Sequence, residues 1–325
     1  MKYFFLFLSL VCLSNTSKSQ NLTVVGEINY EFEDSGTYRV FGANKINLAW
    51  FDYQEGTLFT YDLQTKEVKE KKLSQGRGPS EYLQPTSLYI DKNSTIYLSD
   101  FPNSKLIVWN PAEEKFREDI KLNVPPFRIT GDNKGIYSFN LNKSDSPIDY
   151  LELKTGNSTS FELDGGFFEN AKPNEVLFNK DGSLIYFNEQ VIHLSKYRTT
   201  LTFFSKGNEE NLLKVSTDRL AEEQEMEVKQ TELADGSVQQ ILDVTKLLLA
   251  HTFAKHPSED VLLISFEDNR KDSTFDRNAI YYYSPPSKEL NSGFAKLDFP
   301  VDRLISNSVN IFAFSKEKGK VYILQ

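Results

Sequence analysis

Cysteine is almost missing from this 325-residue chain, where Cys12 stands alone. One thiol excludes an internal disulfide and any cysteine-rich metal site. Histidine is nearly as scarce, with only His193, His251 and His256. None of them falls in a His-x-x-x-His or His-Glu-x-x-His spacing, so the usual sequence mark of a zinc site is absent. There is no Gly-x-Ser-x-Gly elbow for a serine nucleophile and no glycine-rich loop leading into a helix for phosphate. Cationic excess is lacking too: 46 acidic residues face 37 basic ones. That balance argues against nucleic acid or an anionic membrane as partner, because counterion release requires clustered Lys and Arg. Beyond the first residues, no apolar run is long enough to span a bilayer.

What is present begins with an export signal. Met1-Lys2 is followed by an apolar run from Tyr3 to Leu13 and then by small and polar residues ending Ser17-Lys18-Ser19. This pattern predicts a signal peptide, residues 1–19, cleaved after Ser19. The alternative is a lipoprotein signal using Cys12, but Val11 stands before it where such signals place a small residue. Cleavage removes Lys2 and Lys18, leaving 35 basic against 46 acidic residues, a net of −11, and no cysteine. The expected location is the periplasm, the cell surface or the exterior.

Phe and Tyr total 41 residues against 2 Met, a composition suited to strand cores. Short apolar segments recur in fours, separated by turn residues, from end to end. Residues 46–52, 57–63 and 68–73 form one unit, and 87–91, 95–99, 105–109 and 116–122 the next. A third comprises 127–130, 135–140, 148–154 and 159–163, and a fourth 176–179, 184–188, 191–195 and 200–205. Tyr61, Trp109 and Leu151 occupy matching third-strand positions, at spacings of 48 and 42 residues. A drifting repeat of four short strands predicts the blades of an all-β propeller. Strands resume at 261–267, 279–284 and 294–299, then at 303–306, 311–315 and 321–324. The last unit is one strand short, and residues 22–30 supply it, closing the ring with the N-terminus.

Residues 206–249 interrupt the cadence and read as an insertion between blades. Ser216 to Glu227 predicts a short capped helix, and Asp235-Gly236 a hairpin between 228–233 and 237–242. The count is six blades, or seven if the insertion is a degenerate blade. Residues 20–325 are expected to form a single domain.

Gly76-Arg77-Gly78-Pro79-Ser80-Glu81-Tyr82, followed by Leu88-Tyr89-Ile90-Asp91 and Ile96-Tyr97-Leu98-Ser99-Asp100, resembles the six-bladed β-propellers that Bacteroidota export. These look like distant relatives of NHL-repeat propellers. The resemblance implies the fold rather than an activity. The family form is Gly-x-Gly-Pro-Gly-Glu-Tyr, and Ser80 stands in place of a glycine that tolerates positive φ. Asp272-Ser273-Thr274 is similar to the O-glycosylation acceptor of exported proteins in that group.

Arg77, Glu81 and Tyr82 are the candidate ligand-binding residues, a cation, an anion and an aromatic on a loop stiffened by Pro79. The competing reading pairs Glu81 with Arg77 and packs Tyr82 between blades. No catalytic or metal-binding residue is assigned and no cofactor is expected, although a divalent cation on channel carboxylates such as Asp100 is conceivable. His193, alternating with apolar neighbours, reads as an inward or lateral residue. Trp50, Trp109 and Tyr281 to Tyr283 read as packing between blades rather than as sugar platforms. The function expected is a non-catalytic binding or scaffold propeller for a peptide, glycan or protein partner. The alternative is a metal-dependent lyase or lactonase-like hydrolase with its site in the channel.

Overall fold

β-Branched and aromatic residues at every second position, broken by Asx, Gly and Pro turns, leave this chain little choice but short antiparallel strands. The computed structural model describes residues 22–28, 39–140, 146–163, 181–206, 212–222, 224, 228–232, 238–271 and 274–325. Within them Val24–Glu27 (β1) is followed by a first blade of Arg39–Ala43 (β2), Asn47–Asp52 (β3), Thr57–Asp62 (β4) and Val68–Lys72 (β5). The second blade is Pro85–Ile90 (β6), Ile96–Asp100 (β7) and Lys105–Asn110 (β8), edged by the short pieces Lys115–Phe116 (β9) and Ile120–Lys121 (β10). The third is Arg128–Gly131 (β11), Gly135–Phe139 (β12), Ile148–Glu152 (β13) and Ser158–Leu163 (β14). The fourth is Gly182–Phe187 (β15), Gln190–Ser195 (β16), Thr200–Lys206 (β17) and Leu212–Arg219 (β18). A hairpin of Val228–Glu232 (β19) and Val238–Leu242 (β20) pairs only with itself. The fifth blade is Leu248–Lys255 (β21), Leu262–Asp268 (β22), Ala279–Ser284 (β23) and Glu289–Lys296 (β24). Arg303–Ser306 (β25), Ile311–Ser315 (β26), Lys320–Leu324 (β27) and β1 make the sixth.

The blades stack face to face. Second strands such as β3, β7, β12 and β26 are buried at every residue, while an outer strand such as β5 is mostly exposed. The core is accordingly a series of interblade clusters. One joins Leu48, Trp50, Phe59 and Tyr61 of the first blade to Phe312, Phe314 and Val321 of the sixth. The N-terminus closes the ring as expected: Val24 pairs with Leu324, and Thr23 N donates to Gln325 O at 2.9 Å. Trp50 and Trp109 are both buried between blades rather than displayed, and Tyr281 to Tyr283 are core.

Two expectations are corrected. The helix expected from Ser216 is instead the end of β18, and among the described residues no helix is present. This outer strand, largely exposed, pairs with β17 from Thr200 opposite Arg219 to Lys206 opposite Leu213. Asp218 on this strand accepts from Tyr283 Oη of the fifth blade at 2.5 Å and pairs with Lys288 at 3.0 Å. The fourth blade therefore runs 182–219, and the segment 176–179, read as its first strand, lies outside the described residues. The second correction is β21, an inner strand absent from the sequence reading because its first residues were assigned to the insertion. Six blades are complete without the β19–β20 hairpin, whose Asp235-Gly236 turn lies outside the described residues, as do Asp272 and Ser273.

Because every inner strand runs the same way along the axis, their starts share one face of the ring and their ends the other. On the exit face an Asx turn follows several inner strands. Asn44 Oδ1 accepts from the backbone N of Ile46 and Asn47, and Asp91, Asp132 and Asn307 repeat the arrangement. These turns are stitched to one another: Asn307 Nδ2 donates to Asn44 O, Asn44 Nδ2 to Asp91 O, and Tyr89 Oη to Asp132 O, at 2.8, 2.8 and 2.9 Å. Two asparagine amides and one tyrosine hydroxyl thus tie blades six, one, two and three together at this face.

Candidate functional site

The loop 76–82 connects the outer strand of blade one to the inner strand of blade two, on the entry face. Gly78 N donates to Glu81 Oε2 at 2.6 Å, and a Cβ on Gly76 would collide with the same carboxylate. Glu81 is therefore turned back on its own loop. No ion pair joins it to Arg77, which is exposed. Tyr82 is only 7% exposed and meets Phe51 edge-on at 5.0 Å and Tyr53 at 5.9 Å. Ser80 adopts φ 57, so the missing family glycine is tolerated at this position.

Blade two holds this loop from beneath. Lys105 Nζ reaches Gly78 O and Asp119 Oδ2, both at 2.7 Å, and Asp119 Oδ2 also accepts from Ser80 N at 2.9 Å. Asn103 Nδ2 donates to Gly76 O at 3.0 Å and to Asp100 Oδ2 at 2.6 Å. Asp100, proposed above as a channel carboxylate, is fully buried and takes the backbone N–H groups of Leu83 and Gln84. Of the three candidate residues only Arg77 is exposed, and none of the three lines the channel.

The channel is the cavity all six inner strands build, about 240 Å³ in volume, lined from Val40 on β2 to Ser306 on β25. Its lining includes three cations, Arg128, Lys255 and Arg303, and no acidic residue. Arg128 spans three blades, donating to Thr86 O, Phe127 O and Gly182 O while its Nη2 donates to Asp181 Oδ1 at 3.1 Å. It is an internal staple. Arg303, at the start of β25, and Thr252 and Lys255 of β21 also line the cavity.

Between blades four, five and six the backbone brings three further elements together. Ala250 N donates to Lys196 O at 2.9 Å, Val301 N to Arg277 O at 3.1 Å, and Leu304 N to Thr252 Oγ1 at 3.2 Å. In their midst β21 carries a bulge: Ala250 pairs with Phe266 and Thr252 with Ser265, leaving His251 as the extra residue. A bulge re-aims a side chain that regular pleating would point elsewhere. The His251 side chain is 22% exposed, its Nδ1 is buried without a hydrogen-bond partner, and Glu267 Oε2 stands off at 3.8 Å. Burial, with Arg303, Lys196 and Arg277 nearby, pushes its pKa down to about 3, against a weaker opposing contribution from the Asp302 backbone. The imidazole is neutral at pH 7.

This depression has a sign that can be checked. Below pH 6.5 the unfolded chain takes up a proton at His251 that the folded chain refuses. Its contribution to stability is thus whole above pH 6.5 and is lost as pH falls toward 3. Between pH 7 and pH 5 the wild type should lose about 2 kcal/mol more than a His251→Asn variant in urea unfolding. Equal losses would show that His251 titrates normally. Burial lowers His256 as well, and that contribution is common to both proteins.

The other sequence candidates are structural. His193 is fully buried and stacks on Phe139 at 4.5 Å between blades three and four. Among the described residues no group of three or more His, Cys, Asp and Glu is arranged to hold a metal ion. His251 was noticed in the sequence only for its poor metal spacing to His256. The signal that could have found it is the apolar run Leu247-Leu248-Leu249-Ala250 continuing past it into Thr252-Phe253-Ala254, an inner strand with one polar break.

A family model described as 6-bladed beta-propeller (DUF5128) matches residues 44–275. No curated protein matches the sequence. Among solved structures, the Cps50 (Swd1) β-propeller domain of Myceliophteria thermophila superposes with a TM-score of 0.52 at 12% identity, over 93% of this chain and 99% of that one. A streptogramin B lyase gives 0.52 at 12% identity, covering 94% and 98%. Virginiamycin B lyase from Staphylococcus aureus gives 0.53 at 10%, again covering 94% and 98%. At these identities the likeness is one of fold.

Proposed function

The chain belongs to the 6-bladed beta-propeller family, and from that premise we propose that it is an exported, non-catalytic binding propeller that engages its ligand at the entry mouth of the central channel. The observation that carries this reading is the mouth itself. The channel is lined by inner strands of every blade, and its lining includes Arg128, Lys255 and Arg303 but no acidic residue, on a chain whose net charge is −9. Such a local reversal of sign draws a ligand in. Export rests on the N-terminal signal pattern, with the mature chain starting after Ser19, and the resemblance to exported Bacteroidota propellers points the same way.

A metal-dependent lyase or lactonase-like hydrolase working in the channel is the second reading, favoured by one observation: the solved streptogramin B lyase shares this fold. One experiment separates the two. Residues 20–325 are titrated calorimetrically against panels of oligosaccharides and of peptides, beside a Ser183→Trp variant that fills the mouth. Saturable binding lost in Ser183→Trp supports the binding reading. New products in the mass spectrum would transfer it to the enzyme reading, and no saturable binding in either panel would remove both.

A further inference from the structure

We infer that a partner protein docks an arginine side chain on the exit face, its guanidinium on Asp132 Oδ2 and against the tyrosine rings gathered around that carboxylate. The site is built from blades two, three and four and is separate from the entry mouth. It begins with the turn Gly131-Asp132-Asn133-Lys134-Gly135 between β11 and β12. Asp132 Oδ1 serves the turn itself, accepting from Lys134 N at 2.7 Å and from Gly135 N at 2.8 Å. Among the described residues Oδ2 has only the Tyr137 hydroxyl, at 3.4 Å, and no ion pair neutralises the carboxylate. Lys134, beside it on the turn, is exposed. The turn does not require a charge, because Asn44 and Asn307 make the same turn in blades one and six.

What distinguishes position 132 is its surroundings. Tyr89 of blade two donates to Asp132 O at 2.9 Å, and a Cβ on Gly131 would collide with its ring. A Cβ on Gly135 would collide with the ring of Tyr150 in the same way, so both glycines make room for tyrosine. Tyr137 completes the group, 4.7 Å from Tyr150 and stacked at 5.3 Å on Tyr186 of blade four. Asp132, Tyr89, Tyr150 and Tyr186 are each half-buried and therefore within reach of a partner. Burial raises the pKa of all four hydroxyls and the Asp132 charge adds to it, so the rings stay neutral phenols at pH 7. Electron-rich ring faces beside an unpaired carboxylate attract a cation. Arginine fits better than lysine, because its planar guanidinium lies flat on a ring while its N–H groups reach the carboxylate. A neutral saccharide would use the rings and leave the charge unmatched.

The test titrates hexaarginine, hexacitrulline and maltohexaose into residues 20–325 of the wild type and of the Asp132→Asn, Tyr150→Leu and Glu67→Gln variants. Asparagine keeps the Oδ1 acceptor that the turn uses, and Glu67, exposed between β4 and β5, controls for lost charge alone. Hexaarginine should bind the wild type and Glu67→Gln alike. It should bind at least tenfold more weakly to Asp132→Asn and to Tyr150→Leu, with Asp132→Asn and wild type melting at the same temperature. Hexacitrulline, of the same shape without the charge, and maltohexaose should not bind. Weakening no greater in Asp132→Asn than in Glu67→Gln would reduce the effect to the net charge of the chain and overturn the inference. Equal binding of hexacitrulline, binding of maltohexaose without hexaarginine, or no binding of hexaarginine would overturn it too. Should Asp132→Asn melt lower than the wild type, Tyr150→Leu and the citrulline comparison decide the matter by the same criteria.

Discussion

Replacing Lys105 by Met should cost about 3–5 kcal/mol, among the largest losses any single charge in this molecule can produce. Lys105 and Asp119 form an ion pair at 2.7 Å with side chains only 6% and 9% exposed. Methionine keeps most of the volume but strands the Asp119 carboxylate. Its Oδ1 is already buried without a hydrogen bond among the described residues, and Oδ2 would retain only Ser80 N. Gly78 O loses its donor in the same step. The expected result is a lower urea midpoint with an unchanged slope. The double variant Lys105→Met with Asp119→Leu should recover at least half of the loss, since it removes the uncompensated charge as well. A single-variant cost under about 1 kcal/mol, as for an exposed pair, would mean that water reaches this site.

Trp50→Ala should be comparably severe, about 3–5 kcal/mol. The indole is fully buried and stacks on Phe59 at 5.2 Å, in the cluster that joins blade one to Phe312, Phe314 and Val321 of blade six. The cavity would open at the seam where the two ends of the chain meet. Trp50→Phe should cost less than half as much, because a ring still fills most of the space. Differential scanning calorimetry on both variants checks the ordering. Equal costs would show that the loss comes from something other than volume.

Most of this architecture was legible because a blade is a local object. Strand, turn and strand lie within about fifty residues, and turn residues such as Asn44, Asp91 and Asp132 announce themselves by type. The closing role of residues 22–28 could be read from a missing fourth strand. Two segments defeated that reasoning for the same cause. On β18, solvation of an outer face gives Ser216 to Arg219 the composition of a helix start, and only pairing with β17 reveals a strand. On β21, the length of the supposed insertion concealed an apolar inner strand.

The candidate site was less legible still. Arg77, Glu81 and Tyr82 stood out because a rigid motif attracts attention, yet that rigidity serves the junction: Glu81 bonds Gly78 and Tyr82 is core. The channel lining comes from the inner strands of all six blades, and its cations Arg128, Lys255 and Arg303 share no motif. Their grouping depends on how the strands are placed around the ring, which a linear pattern does not contain.

Pairing of Val24 with Leu324 also sets a timetable. β1 finds its partner only after β27 has emerged, and loop closure over such a span is slow. During that interval β27 presents an unpaired edge, and the β1 of a second molecule fits it as well as its own. Crowded refolding should therefore yield strand-exchanged dimers in proportion to concentration, and dilute refolding monomers. A disulfide between positions 24 and 324, neither of them a cysteine in this chain, would convert the slowest step into a covalent one.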